Sequence, residues 1–190
     1  MSRKEVHSLA LQLRYCYASN KRTKQPIRIS LASLSGETRA VLDKVCGFPE
    51  QWEARAFSHS EQPLGEIFPE RKDNLIYLTS DSEHTLEKLE DGKIYVIGGI
   101  VDRNRLKRAA IDRAEALGIK TAKLPITDHL ELFTTKVLAC NHVFDIILKV
   151  KENGNDWKQA MLDVLPLRKE AKSKSDVTTE SVSEDEPTST

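Results

Sequence analysis

Ile94-Tyr95-Val96-Ile97-Gly98-Gly99-Ile100-Val101-Asp102 is the stretch on which the fold turns. Rich in β-branched residues, it reads as a strand over Lys93–Val101, closed by two glycines and a carboxylate. Upstream, Leu75-Ile76-Tyr77-Leu78-Thr79 reads as a short buried strand. Between the two, Ser80-Asp81-Ser82-Glu83 has the composition of a helix start, which predicts a helix over Ser82–Leu89 with Asp81 as its cap. Downstream, Asp102 precedes a helical stretch running to Leu117-Gly118, and Lys120–Leu124 is a third strand stopped by Pro125. Strands alternating with helices predict an α/β fold, a mostly parallel sheet flanked by helices. In such sheets ligands gather beyond the carboxyl ends of the strands. Those ends are Thr79–Asp81, Gly98–Asp102 and Leu124–Ile126.

Outside this centre the pattern continues. Lys4–Asn20 places Val6, Leu9, Leu13 and Tyr17 at helical spacing, and its basic end runs into Lys21-Arg22-Thr23-Lys24 before Pro26. Ile27–Leu31 alternates as a strand does. Gly36–Cys46 reads as a helix ended by Gly47 and Pro49, and Trp52–Phe68 as a long, partly structured connection. Lys136–Glu152 and Trp157–Leu165 read as the last two helices. From Ala171 the chain is mostly Ser, Thr, Glu and Asp with almost no large apolar residue, too polar to offset its ordering entropy. Residues 171–190 are therefore expected to be a disordered acidic tail after a single domain over 1–170.

The chain has 190 residues, 31% of them charged, with 29 Lys+Arg balancing 29 Asp+Glu. The balance hides a segregation. Residues 1–28 hold seven Lys+Arg and one acid, whereas 171–190 hold two Lys and five acids. A basic edge on a neutral chain points to a polyanionic partner, or to a solvated helix face. No apolar run approaches the roughly 20 residues of a membrane span. The first residues lack the apolar core of a secretory signal. A soluble, intracellular protein is expected. Cys16, Cys46 and Cys140 are scattered, which suits reduced thiols, and no His or Cys spacing suggests a metal.

Two features near the sheet edge can carry chemistry. Gly98-Gly99 lets the backbone approach a ligand, or simply marks a bulge or tight strand exit. Asp102 can be the N-cap of the following helix or a general acid or base held near Arg103 and Arg105. Nothing resembles a nucleophile elbow, a P-loop or a dinucleotide fingerprint.

Six ordered motifs carry a resemblance. They are Tyr15-Cys16-Tyr17-Ala18-Ser19-Asn20-Lys21-Arg22, Leu78-Thr79-Ser80-Asp81-Ser82-Glu83, Tyr95-Val96-Ile97-Gly98-Gly99-Ile100-Val101-Asp102 and Thr121-Ala122-Lys123-Leu124-Pro125-Ile126. Lys136-Val137-Leu138 with Asn141-His142-Val143-Phe144 follows, then Asp156-Trp157 with Leu165-Pro166-Leu167-Arg168-Lys169. Over Lys4–Lys169 the chain resembles the eukaryotic and archaeal tRNA methyltransferases that make 1-methylguanosine at the ninth position of tRNA, a SPOUT-class family. Members usually carry a longer basic N-terminal extension, so this chain is expected to be the catalytic domain.

The resemblance implies S-adenosylmethionine bound inside a C-terminal trefoil knot at about 75–152, with S-adenosylhomocysteine as product and no metal. Its loops would be Leu78–Glu83, Gly98–Lys107 and Leu124–Leu138. Leu78, Thr79, Gly98, Gly99, Arg103, Asn104, Arg105, Lys107, Leu124, Val137, Leu138 and Ala139 would surround the cofactor, largely through backbone atoms. Asp102 matches the proposed base for N1 of guanine. On the N-terminal helix, taken as 4–22, and just beyond it, Lys4, Gln12, Lys21, Arg22 and Arg28 would hold the tRNA phosphates. The resemblance further implies a monomer, in nucleus and cytoplasm. Methylation of adenine N1 at the same position, or a non-catalytic RNA-binding module, are the alternatives.

Overall fold

The computed structural model describes residues 1–45, 48, 52, 57–101, 105, 106, 108–132, 138–165 and 171–173. Its centre is a parallel sheet of β3 (Leu75–Leu78), β4 (Ile94–Ile97) and β5 (Lys120–Ala122), ordered β4-β3-β5. Period two divides the strands between two cores. Leu75, Tyr77, Ile94 and Val96 pack with Ala114 and Ile119 on one face. Ile76, Leu78, Tyr95 and Ile97 pack on the other with Ile146, Ile147, Val150 and Trp157. A sheet apolar on both faces must be covered on both. The first cover is α4 (Ala109–Leu117), closed by Gly118 at φ +61°, a left-handed cap that glycine adopts without strain. The second is α6 (Cys140–Glu152) with α7 (Trp157–Val164), the latter capped by Asp156, whose carboxylate accepts from Gln159 N at 2.9 Å.

The N-terminal part is a separate small core. Helix α1 (Arg3–Arg22) opens on a capping box in which Ser2 Oγ accepts from Glu5 N and the Glu5 carboxylate accepts from Ser2 N. It packs on α2 (Gly36–Val45) and on the parallel pair β1 (Ile29–Leu31) and β2 (Phe57–His59). Tyr17 stacks on Trp52 with ring centroids 4.3 Å apart, and Phe48 and Phe57 meet Trp52 edge-on. Asn20, buried, donates to Ile27 O at 2.7 Å and accepts from Ile27 N at 2.9 Å, closing the turn into β1. Cys16 of α1 meets Phe144 and Leu148 of α6, so α6 lies between the sheet and α1. Short elements complete the described residues: α3 (Leu64–Ile67), a 3-10 turn at Pro69–Asn74, α5 (Ile126–His129), and β6 (Leu130–Leu132) antiparallel to β7 (Ala171–Ser173).

Three expectations need correction. Ser82–Leu89 is not a helix. Lys123 N donates to His84 O and Leu86 N donates to Lys123 O, both at 2.8 Å, making a parallel bridge beside β5. Leu89 N donates to Asn155 Oδ1, and Glu87 O accepts from Trp157 Nε1. Its backbone groups have tertiary partners, which outweigh the local cap signal. Asp81 accordingly caps nothing and sits in a turn. Helix α6 begins at Cys140 rather than Lys136, leaving Leu138 and Ala139 non-helical. The residues where the acidic tail was expected to begin form β7. Cys46 lies outside the described residues, whereas Cys16 and Cys140 are free and buried.

Candidate functional site

Beyond the carboxyl ends of β3, β4 and β5 lies a cavity of about 280 Å³. Each strand delivers a loop to it: Leu78–Asp81 from β3, Gly98 and Ile100 from β4, Lys123 and Leu124 from β5. Leu138, Cys140 and Val143 close one side, and Arg108–Ala110 at the start of α4 another. Thr79 N extends the ladder by donating to Ala122 O at 2.9 Å, while Thr79 Oγ1 accepts from Asp81 N at 3.3 Å, curling the loop over the strand end.

Gly98 has a steric reason to be glycine. A Cβ there would stand 3.3 Å from Tyr77 Oη, tighter than ordinary van der Waals contact. Tyr77 is buried, and burial raises its phenol above the usual tyrosine range. Gly98 O accepts from Cys140 Sγ at 3.1 Å. Burial pushes that thiol up as well, keeping it protonated and a donor at neutral pH. Cys140 N in turn donates to Gln12 Oε1 at 2.9 Å. Thus α1, α6 and the β4 exit are tied together at the cavity wall. Gly99 differs: a Cβ there would meet only Leu9 of α1, at an ordinary 3.7 Å.

Arg108 carries a charge the motifs did not flag. Its backbone is left-handed at φ 57°, uncommon for a residue with a side chain and found where surrounding structure holds it. Among the described residues no side chain caps α4 at this end, so its dipole adds to the positive character of Arg108. Asp112 and Glu115 pair with the guanidinium, but all three side chains are exposed and the pairs are screened.

Of the residues expected at the cofactor, Leu78, Thr79, Gly98, Leu124 and Leu138 line this cavity. Ala139 immediately precedes α6 there. Gly99 and Arg105 are exposed and do not line it, and Arg105 reaches Glu5 at 3.5 Å instead. Asp102, Arg103, Asn104, Lys107 and Val137 lie outside the described residues. Arg108, Cys140 and Val143 were not anticipated: Arg108 stood in an unremarkable basic run, and Cys140 read as a helix interior. Among the described residues no group of three or more His, Cys, Asp or Glu could hold a metal ion, and no helix is long and apolar enough to cross a membrane.

The expected phosphate contacts divide. Lys4, Lys21 and Arg22 are exposed or nearly so on α1, and Arg28 lies before β1. Gln12 faces inward, its amide engaged by Cys140 N and by Ser8 Oγ.

Known proteins share this architecture. A family model described as tRNA (guanine(9)-N(1))-methyltransferase TRM10/TRM10A matches residues 1–170. The chain is 38% identical over 168 residues to rat tRNA methyltransferase 10 homolog A, covering 88% of this chain and 49% of the relative. It is 36% identical over 177 residues to a Schizosaccharomyces pombe tRNA (guanine(9)-N1)-methyltransferase, covering 93% and 57%. It thus spans about half the length of the curated relatives it matches. The crystal structure of full-length spTrm10 in complex with SAH superposes with a TM-score of 0.80 at 34% identity, covering 87% of this chain and 88% of that one. A dual-specific Trm10 from Thermococcus kodakaraensis, at 21% identity and TM-score 0.64, shares the fold.

Proposed function

Because the chain belongs to the tRNA (guanine(9)-N(1))-methyltransferase TRM10/TRM10A family, we propose that it methylates N1 of guanine at the ninth position of tRNA, with S-adenosylmethionine as donor. The observation that carries this reading is the cavity at the strand ends, where five of the expected cofactor residues meet. Its residues fit the donor. Leu78, Ile97, Leu124, Leu138 and Val143 offer an apolar wall to an adenine, and bare backbone at Gly98 leaves room against it. Arg108 and the uncapped first turn of α4 give one end a positive potential suited to an amino-acid carboxylate. When bound, S-adenosylmethionine supplies an electrophilic methyl group on its sulfonium.

The chain's own task is alignment and a proton. The three strand-end loops orient the reactants, and orientation alone supplies a large share of the rate in such displacements. Guanine N1 is a lactam N–H and a poor nucleophile until its proton leaves. Asp102, in sequence one residue past Val101 of the β4 exit, accepts that proton in our reading. A carboxylate is a weak base toward a lactam N–H, so it acts while transfer proceeds. A stacked base cannot reach a buried cavity, so the target nucleotide must be extruded. The cationic face of α1 holds the phosphates around it.

The trefoil knot and a monomeric state belong to the same proposal. In support of the knot, three loops distant in sequence converge on one cavity beneath α6. The test is incubation of the chain with unmodified tRNA and labelled donor, followed by nucleoside mapping. Label in 1-methylguanosine is expected. Label only in 1-methyladenosine, or none despite tRNA binding, would overturn the reading in favour of the relative specificity or the binding module.

A further inference from the structure

The chain has four tyrosines, and the structure gives three of them work inside the protein. Tyr17 stacks on Trp52, Tyr77 is buried against Gly98, and Tyr95 Oη accepts from Glu90 N at 2.8 Å. Tyr15 is 57% exposed on α1, and no hydrogen bond or ring contact engages it among the described residues. A single exposed aromatic is not remarkable by itself. Its setting is what matters.

On an ideal helix Lys4, Tyr15 and Arg22 fall within about 20° of one line, spanning roughly 27 Å. Arg14 and Lys21 form a parallel row beside it. The one carboxylate of α1, Glu5, is held at the helix start by Ser2 N and Arg105. Helix α1 thus contributes an aromatic ring among cations with no acid of its own between them, Asp145 of α6 lying near Arg22 at the far end; this is the composition of a surface for unstacked nucleic acid. One helical turn before Tyr15, Gln12 binds Cys140 at the cavity wall. The ring thus stands one turn along α1 from a residue bonded to the cavity wall.

We infer that Tyr15 is a stacking platform for a base flanking the target nucleotide of the tRNA. This rests on the tRNA reading above. Extrusion of one base removes a stacking partner from its neighbours, and the phenol face replaces it. Because stacking releases no counterions, its signature differs from that of the surrounding lysines and arginines.

The test is titration of the full chain with tRNA at several salt concentrations, using wild type, Tyr15→Ala and Tyr15→Phe. Tyr15→Ala should bind roughly five- to a hundredfold more weakly, with the slope of log Kd against log salt unchanged. Tyr15→Phe keeps the ring and should stay within about twofold of wild type. A tRNA with 2-aminopurine at position eight or ten should change fluorescence on binding wild type and Tyr15→Phe, but not Tyr15→Ala. Any of three results overturns the inference: Tyr15→Ala binding like wild type, Tyr15→Phe failing as badly as Tyr15→Ala, or no Tyr15-dependent signal at either position. Methyl transfer by the wild type, measured in parallel, separates the two readings. Activity with an indifferent Tyr15→Ala removes only the stack, whereas a wild type that neither binds nor methylates tRNA removes both.

Discussion

Helix α1 meets the carboxyl edge of β3, β4 and β5 through the inward-facing Gln12, yet that edge and the helix's outward face are made of opposite materials. The first is concave, mostly apolar and shaped by backbone: a missing Cβ at Gly98, a loop curled by Thr79, a thiol holding a carbonyl. The second is convex and cationic, and its side chains reach into solvent. Recognition at the first depends on shape at the scale of a methyl group and should be nearly indifferent to salt. Recognition at the second depends on charge, tolerates local change and should fade as salt rises. A small cofactor and a large polyanion are thus read by separate physics, a helix width apart.

The largest effect expected on this contrast is in Asp102→Asn. Asn keeps the size of Asp, and α4 starts at Ala109 with Arg108 at its N-cap position, so no cap of that helix is lost and stability should hold. The single-turnover methylation rate should fall at least roughly tenfold, and up to about 10⁴-fold, with both ligands still bound. The deficit should shrink as pH approaches the guanine N1 pKa, where solvent removes the proton unaided. A rate within about twofold of wild type across that range would leave alignment to carry the chemistry.

Next comes the glycine pair, which sharpens the shape argument. Gly98→Val places new atoms against Tyr77 Oη, at a cost of about 1–3 kcal/mol of overpacking, and should weaken donor binding roughly five- to a hundredfold by calorimetry. Gly99→Ala meets only ordinary contact with Leu9 and should bind donor as wild type does. Equal losses at both positions would show that the cavity was assigned to the wrong backbone.

Charge reversal of Lys21 and Arg22 together probes the other surface. tRNA affinity should drop roughly tenfold or more and the salt slope should flatten by about two, with donor affinity unmoved. An unchanged slope would reduce the face to a solvated one.

The smallest effect is expected at the seam. Asp145 of α6 has Oδ1 buried without a partner, and desolvation raises its carboxyl despite Ser19, His142 and Arg22 nearby. A raised acid ionises at a stability cost that is absent below the unfolded value near ~4 and complete above the folded pKa. Asp145→Asn removes that cost. Thermal melts should show a modest gain at neutral pH that disappears as pH falls toward about 4. A loss of stability at neutral pH would mean that the neighbouring cations already compensate the charge.

How much of this was legible beforehand follows from where each residue finds its partners. β3 and β4 announce themselves because apolar runs facing a core on both sides look alike in any context, whereas β5 is a short Lys-Thr-Ala run marked by Gly118 before it and Pro125 after it. Gly98 was visible for the same local reason. The segment 82–89 was misread because its partners, Lys123, Asn155 and Trp157, come from elsewhere in the chain. Arg108 and Gln12 show the same limit in side chains. A basic residue in a basic run gives no sign that its backbone is left-handed at a cavity, and a glutamine on a polar helix face gives no sign that it points inward. Family motifs supplied the cofactor loops, and the structure then sorted Gly98 from Gly99.

The parallel rings of Tyr17 and Trp52 have a consequence for observation. They belong to the α1–β1–β2 core, whereas Trp157 is buried by the sheet with its indole N–H on Glu87 O. The molecule therefore carries two indole chromophores in two environments, one against a phenol ring and one bonded to a carbonyl. With either tryptophan replaced by phenylalanine, emission and near-ultraviolet dichroism report on a single core. Loosening of the N-terminal helix can then be followed by light while the sheet stays folded.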